Sequence, residues 1–122
     1  MPDGTLINKR LFKKLGGESE KIYPDGMTCD SEGHIWVGHW NGSKVVRYNQ
    51  DTAKPLHEIV LPALNVTSCC FGGPDMQTLF ITTASFGTDM EKFPKAGSLF
   101  AVPTKFTGVE QKRCKVGINL LE

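Results

Sequence analysis

The chain carries almost no surplus of charge: 14 Lys and Arg stand against 13 Asp and Glu in 122 residues. Holding nucleic acid or an anionic membrane takes a field of one sign, so neither partner is expected. It also lacks any apolar run of membrane-spanning length, and its opening residues, MPDGTLINKR, lack the apolar core of a secretory leader. A cytoplasmic location is the expectation. Cysteine is sparse and poorly spaced for metal, because Cys29, Cys69, Cys70 and Cys114 include no C-x-x-C pair. Reduced thiols are expected. Cys69 and Cys70 are neighbours in an expected strand, where their side chains point to opposite faces, and a vicinal disulfide would need a distorted backbone. Asn41-Gly-Ser43 and Asn65-Val-Thr67 match the glycosylation sequon, which matters only in a secreted protein, and are discounted.

What is present is concentrated between Tyr23 and Asn49, YPDGMTCDSEGHIWVGHWNGSKVVRYN. Strand signals are dense there and beyond: Met27 to Asp30, His34 to Trp40, Lys44 to Asn49 and Leu56 to Leu61. Asp30-Ser-Glu-Gly33 and Trp40-Asn-Gly-Ser43 supply tight turns, and Asn49 to Ala53 a longer polar hairpin. Four short strands of this kind make one propeller blade. A looser copy, TSCCFGGPDMQTLFITTA, begins at Thr67, and its strands are expected at Thr67 to Phe71, Leu79 to Ala84, Ser98 to Val102 and Val109 to Val116. The insertion Ser85 to Gly97 reads as a long loop on one face, either a plain surface loop or, through Phe86 to Phe93, part of a lid. Thr5 to Leu15 follows the turn-forming Pro2-Asp3-Gly4 and reads as an outer strand without its partners.

Repeats of about 40 residues with four strands each are the mark of propellers, whose blades bury their sheet faces only by stacking on neighbours. The expected fold is all-β: about two and a quarter blades of four-stranded antiparallel sheet, divided as residues 1–20 (outer strand of a preceding blade), 21–62 (one blade) and 63–117 (the last blade). A chain of this size falls far short of a closed propeller. Two units leave broad sheet faces exposed, an aggregation hazard unless something covers them.

PDGM joined to D-x-E-G-x-x-W-V, together with S-C-C-F-G-G, resembles the regucalcin (senescence marker protein), gluconolactonase and luciferin-regenerating enzyme family of six-bladed propellers. PDGMTCDSEGHIWVGHWNGSKVVRYN resembles its fifth blade; TSCCFGGPDMQTLFITTA with KAGSLFAV resembles its sixth, and GTLINKRLF the strand closing its fourth. The resemblance covers nearly the whole chain, as the carboxyl-terminal portion of a partial six-bladed β-propeller; only VGINLLE departs from the family's ending.

The resemblance implies a divalent metal, calcium first, with zinc, magnesium or manganese as alternatives. Three side chains hold it in the family: a Glu near the start, an Asn of a central blade and the Asp of PDG. Only the last maps here, onto Asp25; Asp3, in the other PDG, precedes an outer strand at a rim hairpin. Asp25 is therefore the one candidate, as both metal ligand and catalytic base. A hard cation bound to a carboxylate offers open positions to a water and to a carbonyl oxygen, and the carboxylate can take the water's proton. Without the resemblance, Asp25 reads as a turn residue whose side chain caps nearby amides. His34 and His39 fall on opposite faces of their strand and read as surface and packing residues. Trp36 and Trp40 share a face and fill the space between blades, with Trp40 alternatively at a pocket rim. Thr67 holds in the second unit the place Asp25 holds in the first.

The function the resemblance implies is metal-dependent hydrolysis of a sugar lactone, with this chain supplying one of three ligands. A non-enzymatic calcium-binding or regulatory protein is the alternative. A fragment completed by a chain carrying the missing blades, or by self-association, is the third reading.

Overall fold

The computed structural model describes residues 5–16 and 19–111, and every regular element among them is a strand. The strands are β1 (Tyr23–Cys29), β2 (Ile35–Trp40), β3 (Lys44–Tyr48), β4 (Pro55–Val60), β5 (Asn65–Gly72), β6 (Thr78–Ala84) and β7 (Leu99–Pro103). They form two antiparallel sheets, β1-β2-β3-β4 and β5-β6-β7, each joined in sequence order. The first sheet is the expected blade. The second has three strands; its expected fourth, Val109 to Val116, lies mostly outside the described residues, and Val109 to Gln111 form no strand.

Tight turns fall where the sequence marks them. Gly33 takes a φ of 84° between β1 and β2, and Asn41 and Ser43 take 60° and 54° between β2 and β3. Such left-handed backbone is open to Gly and tolerated by Asn, which is why these residues punctuate the strands. In the longer β3–β4 connection, the Asn49 side chain accepts from the amides of Asp51 and Thr52, an Asx turn.

The core lies between the sheets. Trp36 and Val45 of the first pack with Val66, Cys69, Phe71, Leu79 and Ile81 of the second. Alternation along each strand delivers these residues to one face. Burying each large side chain contributes roughly 1.5–3 kcal/mol. Trp36 meets the rings of Phe71 and Phe106 edge to face, at centroid distances of 5.5 and 5.2 Å.

Residues 5–16 form no strand, contrary to the outer strand expected from Thr5 to Leu15. An extended segment needs a neighbour to bond its backbone, and here it runs across the outer face of the first sheet instead. Phe12 and Leu15 pack there, with Ile35, on Val37, Val46 and Tyr48.

A buried polar cluster locks the first sheet to its turn. Asp30, 1% exposed, accepts from Trp36 Nε1 at 2.8 Å, from Arg47 Nε at 2.7 Å and from the amides of Glu32 and His34 at 3.0 Å each. The Arg47 guanidinium lies 4.2 Å from the Phe106 ring centre, a cation–π contact that carries the lock into the inter-sheet core. Beyond β7 the chain returns to the same turn: the Ser31 amide donates to the Thr107 carbonyl at 2.8 Å, and Gly108 bridges Asp30.

Candidate functional site

The site begins with an irregularity of β1. Pro24 pairs with His39 and Met27 with Val37, so Asp25 and Gly26 together face the single residue Gly38. This is a β-bulge, which breaks the ladder and turns a side chain out of the regular alternation. Asp25 occupies it, exposed. Among the described residues its carboxylate has no hydrogen bond or ion pair, so it caps no amides, contrary to the turn-residue reading.

The same device recurs in the second sheet. Val66 pairs with Thr83 and Ser68 with Thr82, leaving Thr67 as the extra residue of β5. The expected correspondence between Thr67 and Asp25 is thus a correspondence of bulges. Thr67 Oγ1 shares a hydrogen bond of 2.7 Å with Thr82 Oγ1. The two bulged strands lie against each other: a Cβ built on Gly26 would collide with the Ser68 side chain and stand 2.9 Å from its Cα. Only glycine fits there.

Asp25 stands at the edge of a cleft of about 410 Å³ beneath residues 8–15. Phe12, Leu15, Met27, Ile35, Val37 and Tyr48 give it an apolar floor, and Arg10 and Lys13 add two cations. The Lys13 ammonium sits 5.4 Å from the Tyr48 ring centre. Burial, reinforced by Glu58, pushes the Tyr48 phenol up to about 12, so it stays protonated at neutral pH.

The histidines are not ligands in this arrangement. His39, 4% exposed, places Nε2 3.0 Å from the Tyr48 hydroxyl and stacks on its ring. Burial, then the nearby Lys44 charge, lowers its pKa against a smaller opposing effect of Glu58, which keeps the imidazole neutral. His34 lies at the surface turn, its Nδ1 3.4 Å from the Gln50 amide. Among the described residues no group of three His, Cys, Asp or Glu gathers to hold a metal. A free carboxylate oxygen is the right donor for a hard cation. It supplies one ligand; the described residues do not complete the site.

Trp36 is fully buried in the core between the sheets, as expected, whereas Trp40 is half-buried at the end of β2 and is not part of that core cluster. Cys29, Cys69 and Cys70 are free thiols, Cys69 buried and Cys70 exposed. Asp3 and Cys114 lie outside the described residues.

Asn65 is the functional-looking residue that the sequence reading passed over as a sequon. It is buried, accepts from the Asn41 amide at 3.1 Å, and donates from Nδ2 to the Phe86 carbonyl at 2.9 Å and to Thr88 Oγ1 at 3.2 Å. It thereby fastens the Ser85–Gly97 loop to the β2–β3 turn. Since Tyr23 pairs with Trp40 and Asn65 with Ala84, that loop sits at the end of the sheets where β1 and Asp25 begin. The signal was the polar residue opening a run of apolar ones; its partners are too remote in sequence to read.

The model of the SMP-30/Gluconolactonase/LRE-like region matches residues 1–85, the amino-terminal part of the chain. Regucalcin of Danio rerio is 45% identical over 102 residues, covering 81% of this chain and 34% of that protein. Human regucalcin (Homo sapiens) is 40% identical over 112 residues, covering 89% and 36%. Among solved structures, a calcium-binding protein, regucalcin, from Agrobacterium tumefaciens superposes with a TM-score of 0.67 at 30% identity, over 73% of this chain and 31% of its own. Luciferin-regenerating enzyme gives a TM-score of 0.57 at 26% identity, over 75% and 30%. The chain spans about a third of the length of the relatives it matches.

Proposed function

The chain belongs to the SMP-30/Gluconolactonase/LRE-like family, and from that premise we propose that it is part of a metal-dependent hydrolase of sugar lactones, with Asp25 as its contribution to the centre. The observation that carries this reading is the bulge of β1, which leaves Asp25 exposed and unengaged among the described residues at the rim of a cleft. A carboxylate that served only the fold would be expected to hold amides or a cation, as Asp30 does.

A divalent cation, when bound, supplies electrostatic stabilisation for the charge that develops on the lactone oxygen. The part of Asp25 is to hold one coordination position and to take a proton. Water attacks the lactone carbonyl carbon and gives one proton to the carboxylate; the ring C–O bond breaks, and that proton passes to the departing ring oxygen, leaving a hydroxy acid that releases its carboxyl proton to solvent. Calcium leads among the cations because the Agrobacterium tumefaciens neighbour is a calcium-binding protein. That likeness equally favours the second reading, a calcium-binding or regulatory protein that turns over no lactone.

The whole protein's activity requires the ligands this chain lacks, so the test belongs in an assembly that carries them. Grafting residues 1–122 in place of the matching part of Danio rerio regucalcin provides one. Asp25→Asn in that chimera is expected to abolish calcium binding by titration calorimetry and gluconolactone hydrolysis together. Calcium binding with no turnover in the unsubstituted chimera selects the second reading. Turnover that survives Asp25→Asn rejects the mechanism.

A further inference from the structure

β1 and β5 are the first strands of their sheets, and they run side by side in the same direction. Gly26 abuts Ser68, and further along both strands the Thr28 backbone is hydrogen-bonded to the Cys69 thiol. Gly38 lets the two backbones close in: a Cβ there would stand 3.3 Å from the Val66 carbonyl oxygen and 3.4 Å from that of Gly26. Asp25 and Thr67 each precede the contact by one position. They stand level with each other on neighbouring strands, and a bulge turns each out of its sheet's alternation.

The hydrogen bonds around Thr67 fix what its hydroxyl can still do. Thr82 Oγ1 donates to the Ser68 carbonyl at 3.5 Å and lies 2.7 Å from Thr67 Oγ1. A carbonyl only accepts and a hydroxyl has one proton, so Thr82 spends its proton on Ser68 and takes the one from Thr67. Thr67 Oγ1 is left with lone pairs and no proton to give. It is half-buried beside an exposed carboxylate, itself an acceptor. What the pair lacks is a donor.

We infer that Thr67 is a second substrate-binding residue of the Asp25 centre: its oxygen accepts a hydrogen bond from a hydroxyl of the sugar ring, and this makes the site prefer a hydroxylated lactone to a plain alkyl one. The inference rests on the proposed lactone hydrolysis and assigns the residue that recognises the sugar. An alkyl lactone of the same ring size sets a C–H against the Thr67 oxygen, which then loses water without gaining a partner. Sites built to hold a substrate hydroxyl discriminate against analogues without it for this reason. Thr82 is a positioning residue, since it decides where the Thr67 proton points.

The experiment uses the chimera that carries residues 1–122 in place of the matching part of Danio rerio regucalcin, with gluconolactone and δ-valerolactone as probes. Thr67→Val keeps the shape and the strand preference of the side chain and removes the oxygen. It is expected to lower kcat/KM for gluconolactone about tenfold, through KM, and to leave δ-valerolactone unchanged. Thr67→Ser is expected to restore the preference. Thr82→Val is expected to weaken it and Thr82→Ser to rescue it. Calcium binding by titration calorimetry is expected to survive Thr67→Val, in contrast to Asp25→Asn.

Equal losses on both lactones, no loss on gluconolactone, or loss of calcium binding in Thr67→Val would each overturn the inference. A chimera that turns over neither lactone rejects the proposed activity instead, and the ring-opened acids then decide. Gluconate binding weakened about tenfold by Thr67→Val, with hydroxyvalerate binding unchanged, upholds the role of Thr67 at a site that binds without hydrolysing. Gluconate binding unaffected by Thr67→Val overturns it.

Discussion

Arg47 Nε donates to Asp30 Oδ2 at 2.7 Å, and the two side chains are 7% and 1% exposed. An ion pair so buried is costly to break on one side, because the remaining charge keeps its desolvation penalty without its partner. Asp30→Ala is expected to lower stability by about 3–5 kcal/mol, read from the urea midpoint at fixed protein concentration. Burial alone would raise the Asp30 pKa, but hydrogen bonds from Arg47, Trp36 and the His34 amide, with the Arg47 charge, bring it below the usual carboxylate value. A depressed folded-state pKa stabilises above the unfolded value and loses that contribution as pH falls through the folded one. Acid unfolding should therefore be blunted in Asp30→Ala, and equal acid sensitivity in both proteins would contradict this.

Gly26→Ala tests the crossing of the bulged strands. The added methyl meets both the side chain and the backbone of Ser68, so an overpacking cost of roughly 1–3 kcal/mol is expected. Ser68→Gly should recover part of it, since it removes the side chain and leaves the Cα. A double-mutant cycle with no coupling between the two positions would show that the strands do not bear on each other here.

His39 makes stability depend on pH near neutrality. Its folded-state pKa is lowered, first by burial and then by Lys44, so the unfolded chain binds the proton more readily. Stability is full above the unfolded value near 6.5 and falls as pH drops from there toward the folded value. His39→Phe should flatten the decline below about pH 6.5. An unchanged slope in thermal melts across that range would refute the assignment.

The adjacent cysteines should differ sharply in reactivity. Burial pushes the Cys69 thiol up to about 12, with a further push from Cys70 and a weaker opposing hydrogen bond at Thr28. Cys29 and Cys70 are exposed. Brief alkylation of the native chain followed by peptide mass analysis is expected to label Cys29 and Cys70 and to spare Cys69 until denaturant is added. A Cys69–Cys70 disulfide in the native chain would contradict both the free thiols and the opposed faces.

Much of the fold was legible because it rests on local rules. Alternation from Ile35 to Trp40 and from Lys44 to Tyr48, with left-handed turns at Gly33 and Asn41, placed β2 and β3 within a residue, whereas β1 begins four residues before the expected Met27. Register within each hairpin follows from such turns. Residues 5–16 could not be read this way. Their strand-like pattern states only that one side is apolar; whether a ladder forms depends on a partner strand, and the described residues offer them a sheet face instead.

For the site, the sequence by itself determined the exposed Asp beside a glycine and, through its motifs, the family. Tertiary structure alone decided that Asp25 sits in a bulge matched by Thr67, that Gly26 must stay bare beneath Ser68, and that Asp30 belongs to the fold rather than to the chemistry. The reason is distance along the chain. Turn chemistry and alternation act over a few residues, whereas Asp30 meets Arg47, and Gly26 meets Ser68, only after the sheets have paired and stacked.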